Sequence, residues 1–135
     1  MKFVYRAKLR VEVGTGFITV MPGVGIDHTE RMSFCVSNVG SEATTLTNIT
    51  FRAFEKARGW KRWKRPSRQG IITVRQIPAR LEPGSIWSEM VPQESMREFA
   101  ANFAECVICF HHSMARQPVA ASLTFSGQID AELPT

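Results

Sequence analysis

The chain has 135 residues, of which 44% are hydrophobic and 21% charged, and its formal net charge is +5. That length suits one domain with a core of its own, and the balance excludes disordered, collagenous and fibrous chains. No apolar run approaches the ~20 residues needed to cross a bilayer, and charges interrupt the apolar positions of the first ten residues, so neither a transmembrane segment nor a signal peptide is expected.

Residues 3–13 alternate: Phe3, Tyr5, Ala7, Leu9, Val11 and Val13 on one face, Lys2, Arg6, Lys8, Arg10 and Glu12 on the other. Period two predicts a strand with one buried face. Gly14-Thr15-Gly16 reads as a turn, Phe17 to Met21 as a second strand, and Pro22-Gly23-Val24-Gly25 as a loop holding Asp27 and His28 nearby. Arg31 to Val36 alternates again through Met32, Phe34 and Val36, ending at a tight turn over Asn38-Val39-Gly40-Ser41. Residues 43–54, rich in Thr, Ile and Phe, are β-prone.

A basic loop is expected at residues 55–70. It contains Lys56, Arg58, Lys61, Arg62, Lys64, Arg65 and Arg68, with no acid among residues 56–68. In the rest of the chain the acids outnumber the bases, so the positive charge belongs to this segment and points to a local anionic partner. Beyond it, Ile71 to Arg75 is a predicted short strand. Glu82-Pro83-Gly84 has the pattern of a type II turn, and Ile86 to Val91 follows as a strand. Met96, Phe99, Ala100 and Phe103 fall at i, i+3, i+4 and i+7, which predicts a short crossover helix within 93–103. Cys106 to His112 is β-rich, and Val119, Ala121, Leu123 and Phe125 mark a last alternating stretch within 119–129. Seven to nine short strands between turn signals predict an all-β sandwich or barrel of antiparallel strands in one domain, residues 1–135.

Three stretches together carry a family resemblance. Residues 34–49, Phe-Cys-Val-Ser-Asn-Val-Gly-Ser-Glu-Ala-Thr-Thr-Leu-Thr-Asn-Ile, resemble the strand-turn-strand pattern F-x-V-x-N-x-G-x-x-x-x-T-L-x-x-I of immunoglobulin-like β-sandwich domains. Leu81-Glu82-Pro83-Gly84-Ser85-Ile86-Trp87 resembles their L-x-P-G-x-x-W turn, and residues 107–113 with Pro118-Val119 resemble their late hairpin. The resemblance implies an antiparallel immunoglobulin-like β-sandwich of the kind found in uncharacterised bacterial, phage or mobile-element proteins. It is nearly silent on function, since such folds host many roles. Secreted relatives can place an inter-sheet disulfide at the positions of Cys35 and Cys109. Here the odd count of three cysteines, with no export signal expected, predicts free thiols and a cytoplasmic location.

The sharpest candidate for binding is Gly59-Trp60-Lys61-Arg62-Trp63-Lys64-Arg65-Pro66. Its cations can neutralise phosphates with release of counterions, and Trp60 and Trp63 can stack on unpaired bases. Indoles and cations together also suit a membrane surface or an acidic protein. A solvated hairpin loop whose indoles fold back on the sandwich edge stands beside these readings.

Other constellations carry less. Cys106 and Cys109 have C-x-x-C spacing, but residues i and i+3 of a strand face apart, so buried free thiols are expected rather than a metal or redox pair. His111 and His112 face apart for the same reason, one of them expected as a hydrogen-bonded surface histidine. No spacing supports a metal site with His28. Asp27, His28 and Ser113 lack the setting of a nucleophile elbow, and Glu94 with Glu98 reads as the solvated face of the helix. The sequence thus predicts a non-enzymatic interaction or accessory domain without cofactor. It would bind an unidentified protein or another copy of itself through a sheet face or an edge such as the strand at 2–13. Binding of nucleic acid or another anionic surface through residues 56–68 is the alternative.

Overall fold

A computed structural model describes residues 7–55 and 68–125. The described elements are β1 (Leu9–Met21), β2 (Gly25–Asn38), β3 (Thr44–Phe54), β4 (Arg68–Ile71), β5 (Ala79–Leu81), β6 (Ile86–Pro92), α1 (Glu94–Ala100), β7 (Glu105–His112) and β8 (Val119–Ser122). They form two antiparallel sheets. One has the order β1-β2-β6; the other has the order β4-β3-β7-β8, with β5 also pairing β3. The predicted all-β sandwich is therefore present.

The core follows from the alternation. Met32, Phe34 and Val36 of β2 point inward, Cys35 between them stays half-buried, and Leu9 is buried with Val11 and Val13 packed beside it. From the other sheet come Ile49, Ala53, Ile108 and Phe110, closed below by Leu123 and Phe125. Phe34 and Phe110 meet edge to face across the layers at 5.9 Å, a contact worth ~1 kcal/mol beyond its area. Helix α1 crosses from β6 to β7. Phe99 seats on Phe51 at 4.9 Å and touches Phe103 at 4.9 Å, while Glu94 and Glu98 are exposed. The Phe51 ring lies over Gly70, where an added Cβ would come within 2.8 Å of it, so only glycine lets β4 close under that ring.

Three local expectations are corrected. Gly14-Thr15-Gly16 is not a turn: β1 runs through it as one strand, with a bulge between Gly14 and Phe17 where Gly16 takes φ 81°. A bulge absorbs an extra residue by kinking the strand, and glycine supplies the positive φ that this needs. The strand expected at 71–75 lies earlier, at Arg68–Ile71: the Ile72 N–H makes a last bond to the Ile49 carbonyl at 2.8 Å, and beyond it the chain leaves β3, with Ile72 and Val74 packed against the core. The same shift puts residues 68–70 of the expected 55–70 loop into β4. His28 lies on β2 rather than in a loop, and it is exposed.

The turn at 82–85 has the predicted type II form, with Gly84 at φ 86° and the Ser85 N–H donating to the Glu82 carbonyl at 2.9 Å. It is held from beneath by Asn38, which is fully buried. The Asn38 amide Nδ2 donates to the carbonyls of Glu42 (2.8 Å) and Leu81 (3.0 Å), and its Oδ1 accepts the N–H of Gly40 (3.0 Å) and Lys8 (3.4 Å). Its backbone carbonyl takes the N–H of Gly84 at 2.8 Å. Asn38→Ala should strand these backbone groups and destabilise the domain by about 3 kcal/mol, read by urea unfolding. A change below about 0.5 kcal/mol, the range of ordinary surface substitutions, would refute this role.

Candidate functional site

Two surface regions stand out, one apolar and one basic. The apolar one is the end of the β1–β2 hairpin. Strand β6 pairs β2 only from Arg31 to Ser37 and stops at Pro92, where α1 begins. Residues 17–30 therefore run on as a two-stranded ribbon beyond the third strand. Between Glu12 and Asp27 the chain has no charged residue. Phe17, Ile18, Val20, Met21, Val24 and Ile26 are all exposed, Val24 at 78% and Val20 at 61%. Val20 pairs Ile26 directly, so the two share a face, and Ile18 lies two residues along on the same face. The opposite face is mixed: Phe17 and Met21 flank Thr19 there, and Arg31 binds Asp27 at 3.1 Å and donates to the Thr19 hydroxyl at 3.3 Å.

The base of the ribbon is locked. Gln93, almost fully buried, accepts the N–H of Gly16 at 2.8 Å and donates to the Glu30 carboxylate at 2.9 Å. Its own N–H donates to the Glu30 carbonyl at 3.1 Å. One side chain thus joins the bulge of β1, the irregular stretch of β2 and the start of α1. At the tip the Val24 N–H closes on the Met21 carbonyl at 2.9 Å, with Gly23 at φ 81°. Asp27, held by the Thr29 N–H and then by Arg31, keeps its carboxyl below the usual range.

The basic region was legible in the sequence, but Lys56, Arg58, Trp60, Lys61, Arg62, Trp63, Lys64 and Arg65 lie outside the described residues. Arg68 is exposed at the start of β4, paired with Ala53. The segment joins β3 to β4, so its root is described. There the outer face of the sheet carries Thr50, Arg52, Gln69, Ile71 and His111 around a shallow groove. Arg52 sits opposite Gln69 and Val107. The cationic character therefore extends from the segment onto the strand that launches it.

The cysteines and histidines fall as strand geometry requires. Cys106 and Cys109 are both buried and free, and their spacing on β7 directs them to opposite faces. Burial first, and Glu105 second, push the Cys106 thiol up. His112 is buried with Nδ1 2.8 Å from the Thr44 hydroxyl, which also accepts the Met114 N–H at 3.3 Å. His111, on the other face, sets Nε2 2.9 Å from the Thr50 hydroxyl. Both histidines are thus hydrogen-bonded, where one was expected. Among the described residues no three His, Cys, Asp or Glu side chains gather where they could hold a metal ion.

The reading of the sequence missed the ribbon because it split β1 at Gly14–Gly16. The available signal was the uncharged, β-branched stretch from Phe17 to Ile26 around a Pro-Gly turn, which is a hairpin pattern without the alternation of a half-buried one.

Burial lowers the proton affinity of His112, and burial with the Arg52 charge lowers that of His111, from the ordinary 6.5. Near and below that value the unfolded chain takes up protons that the folded chain refuses, so stability falls as pH drops through 6.5. Urea unfolding at pH 7.5 and 5.5 should show this loss, and a His111→Gln, His112→Gln variant should flatten it; equal slopes would refute the assignment. Comparison of the chain with family models, with curated proteins and with solved structures finds no match.

Proposed function

We propose that the chain is a non-enzymatic protein-interaction domain with an immunoglobulin-like sandwich and that the β1–β2 ribbon is its docking element. The observation behind this reading is the ribbon itself: six exposed hydrophobics on a projection whose base is fixed by Gln93. Apolar surface gathered in one place, and held rigidly in water, is the mark of a surface that meets a partner. The strand orders β1-β2-β6 and β4-β3-β7-β8 support the immunoglobulin-like reading. So do the Asn38 and Glu82–Ser85 turns, which occupy the motifs on which the resemblance rests. Affinity capture with the chain and with a Val20→Glu, Ile26→Lys variant tests the docking role. Partners, or self-association, should be lost with the variant, and a set of contacts identical for both forms would sink it.

A second reading is favoured by one observation: Arg52, on the strand that leads into the basic segment 56–68, adds a cation to the outer face of its sheet. In this reading Trp60 and Trp63 stack on bases while Lys56, Arg58, Lys61, Arg62, Lys64, Arg65 and Arg68 meet phosphates. Anisotropy titrations with short single-stranded and duplex oligonucleotides should show binding that weakens steeply with salt. A Trp60→Ala, Lys61→Ala, Arg62→Ala, Trp63→Ala variant should lose it. Loss of ~1–3 kcal/mol per stacked base is expected, and no binding at micromolar protein in low salt would eliminate the reading.

A further inference from the structure

We infer that the partner of the ribbon is a second copy of this chain, joined by antiparallel pairing of β1 with itself along Phe17–Met21. The inference rests on the interaction reading above and names its partner.

Strand β1 is the edge of its sheet and pairs, among the described residues, with β2 alone. An edge strand offers a row of backbone donors and acceptors to any extended chain, and sheets normally blunt such edges with charge or proline. From Phe17 to Met21 this edge has neither. It is the sequence Phe-Ile-Thr-Val-Met, apolar and largely β-branched, the composition that pairs strand to strand. The bulge that interrupts β1 lies earlier, between Gly14 and Phe17; a second register shift, between Phe17 and Thr19, puts its extra residues on β2.

Charge and the exposed apolar surface both favour a second copy as the occupant. A copy brings the same uncharged strip, so no ion is buried unpaired. The nearest charges, Asp27 and Arg31, already neutralise each other within the chain. The exposed Phe17, Ile18, Val20 and Met21 side chains flank the pairing edge, so a strand-to-strand contact there covers apolar surface together with backbone. Antiparallel self-pairing is two-fold symmetric, the commonest closed arrangement, so the contact ends at a dimer and does not propagate. Centred on Thr19, the midpoint of the segment, the pairing sets Ile18 of one copy against Val20 of the other, on the shared apolar face.

Sedimentation equilibrium of the full chain over a concentration series tests this. The mass should rise twofold, from monomer to dimer. Ile18→Lys and Val20→Glu, each alone, should hold the monomer mass with the circular dichroism of the parent. An equimolar mixture of the two should restore the dimer, since opposite charges then face each other. If either variant fails to fold, hydrogen exchange of the unsubstituted chain decides. The outward amides of Phe17–Met21 should gain protection as concentration rises, and concentration-independent exchange would overturn the proposal. Monomer mass at every concentration overturns it as well, while the interaction reading survives if capture of a different partner still depends on the ribbon. Binding of the monomer to phosphatidylcholine vesicles, lost in both variants, would overturn it in favour of a lipid surface.

Discussion

The buried side chain of Asn38 is the point from which the rest of the sandwich is fixed. At the end of β2 it holds the backbone of Lys8 ahead of β1, Glu42 ahead of β3 and Leu81 at the end of β5. Its own backbone carbonyl secures Gly84 in the turn that starts β6. A primary amide is the one neutral side chain with two donors and a two-lone-pair acceptor, so one residue can satisfy chain segments from both sheets without burying a charge. Aspartate would lack the donors and leucine would leave all the partners stranded. The register of β2 against β1 and β6 starts at this residue, and the facing of Met32, Phe34 and Val36 into the core follows from that register.

At the far end of the same strand the constraint is opposite. There β6 has stopped and β1 and β2 continue without a covering layer. A two-stranded ribbon in water is marginal by itself. Here it is held by three means: the Gln93 bonds at its base, the Arg31–Asp27–Thr19 group on one face, and the glycines that allow its bulge and its tip. None of these covers Ile18, Val20, Val24 or Ile26. The molecule thus uses part-buried polar contacts to hold apolar groups out in solvent, an arrangement that makes physical sense when something else covers them.

The two candidate surfaces lie on different sheets. The ribbon grows from the β1-β2-β6 sheet, whereas the basic segment joins β3 to β4 of the other. The substitutions that test the one reading therefore fall on strands or segments that the other does not use.

The sequence by itself determined the class of fold, most of the strands and the direction of the core. It could do so because strand facing is a local property: Phe34, Val36, Leu123 and Phe125 alternate with polar neighbours, and period two needs no partner to be read. The type II turn at Glu82–Ser85, the facing apart of Cys106 and Cys109, and the apolar face of α1 were legible for the same reason. Tertiary structure alone decided what Gly14–Gly16 does, since a glycine pair serves a turn or a bulge equally well and only the register against β2 selects the bulge. It also decided the role of Gln93, a polar residue whose partners lie 77 and 63 positions away. Finally, it decided that Phe17–Ile26 is exposed. Hydrophobicity predicts burial, and whether a third strand arrives to supply it depends on where β6 ends, which is set by pairing across the sheet and not by the residues of the hairpin.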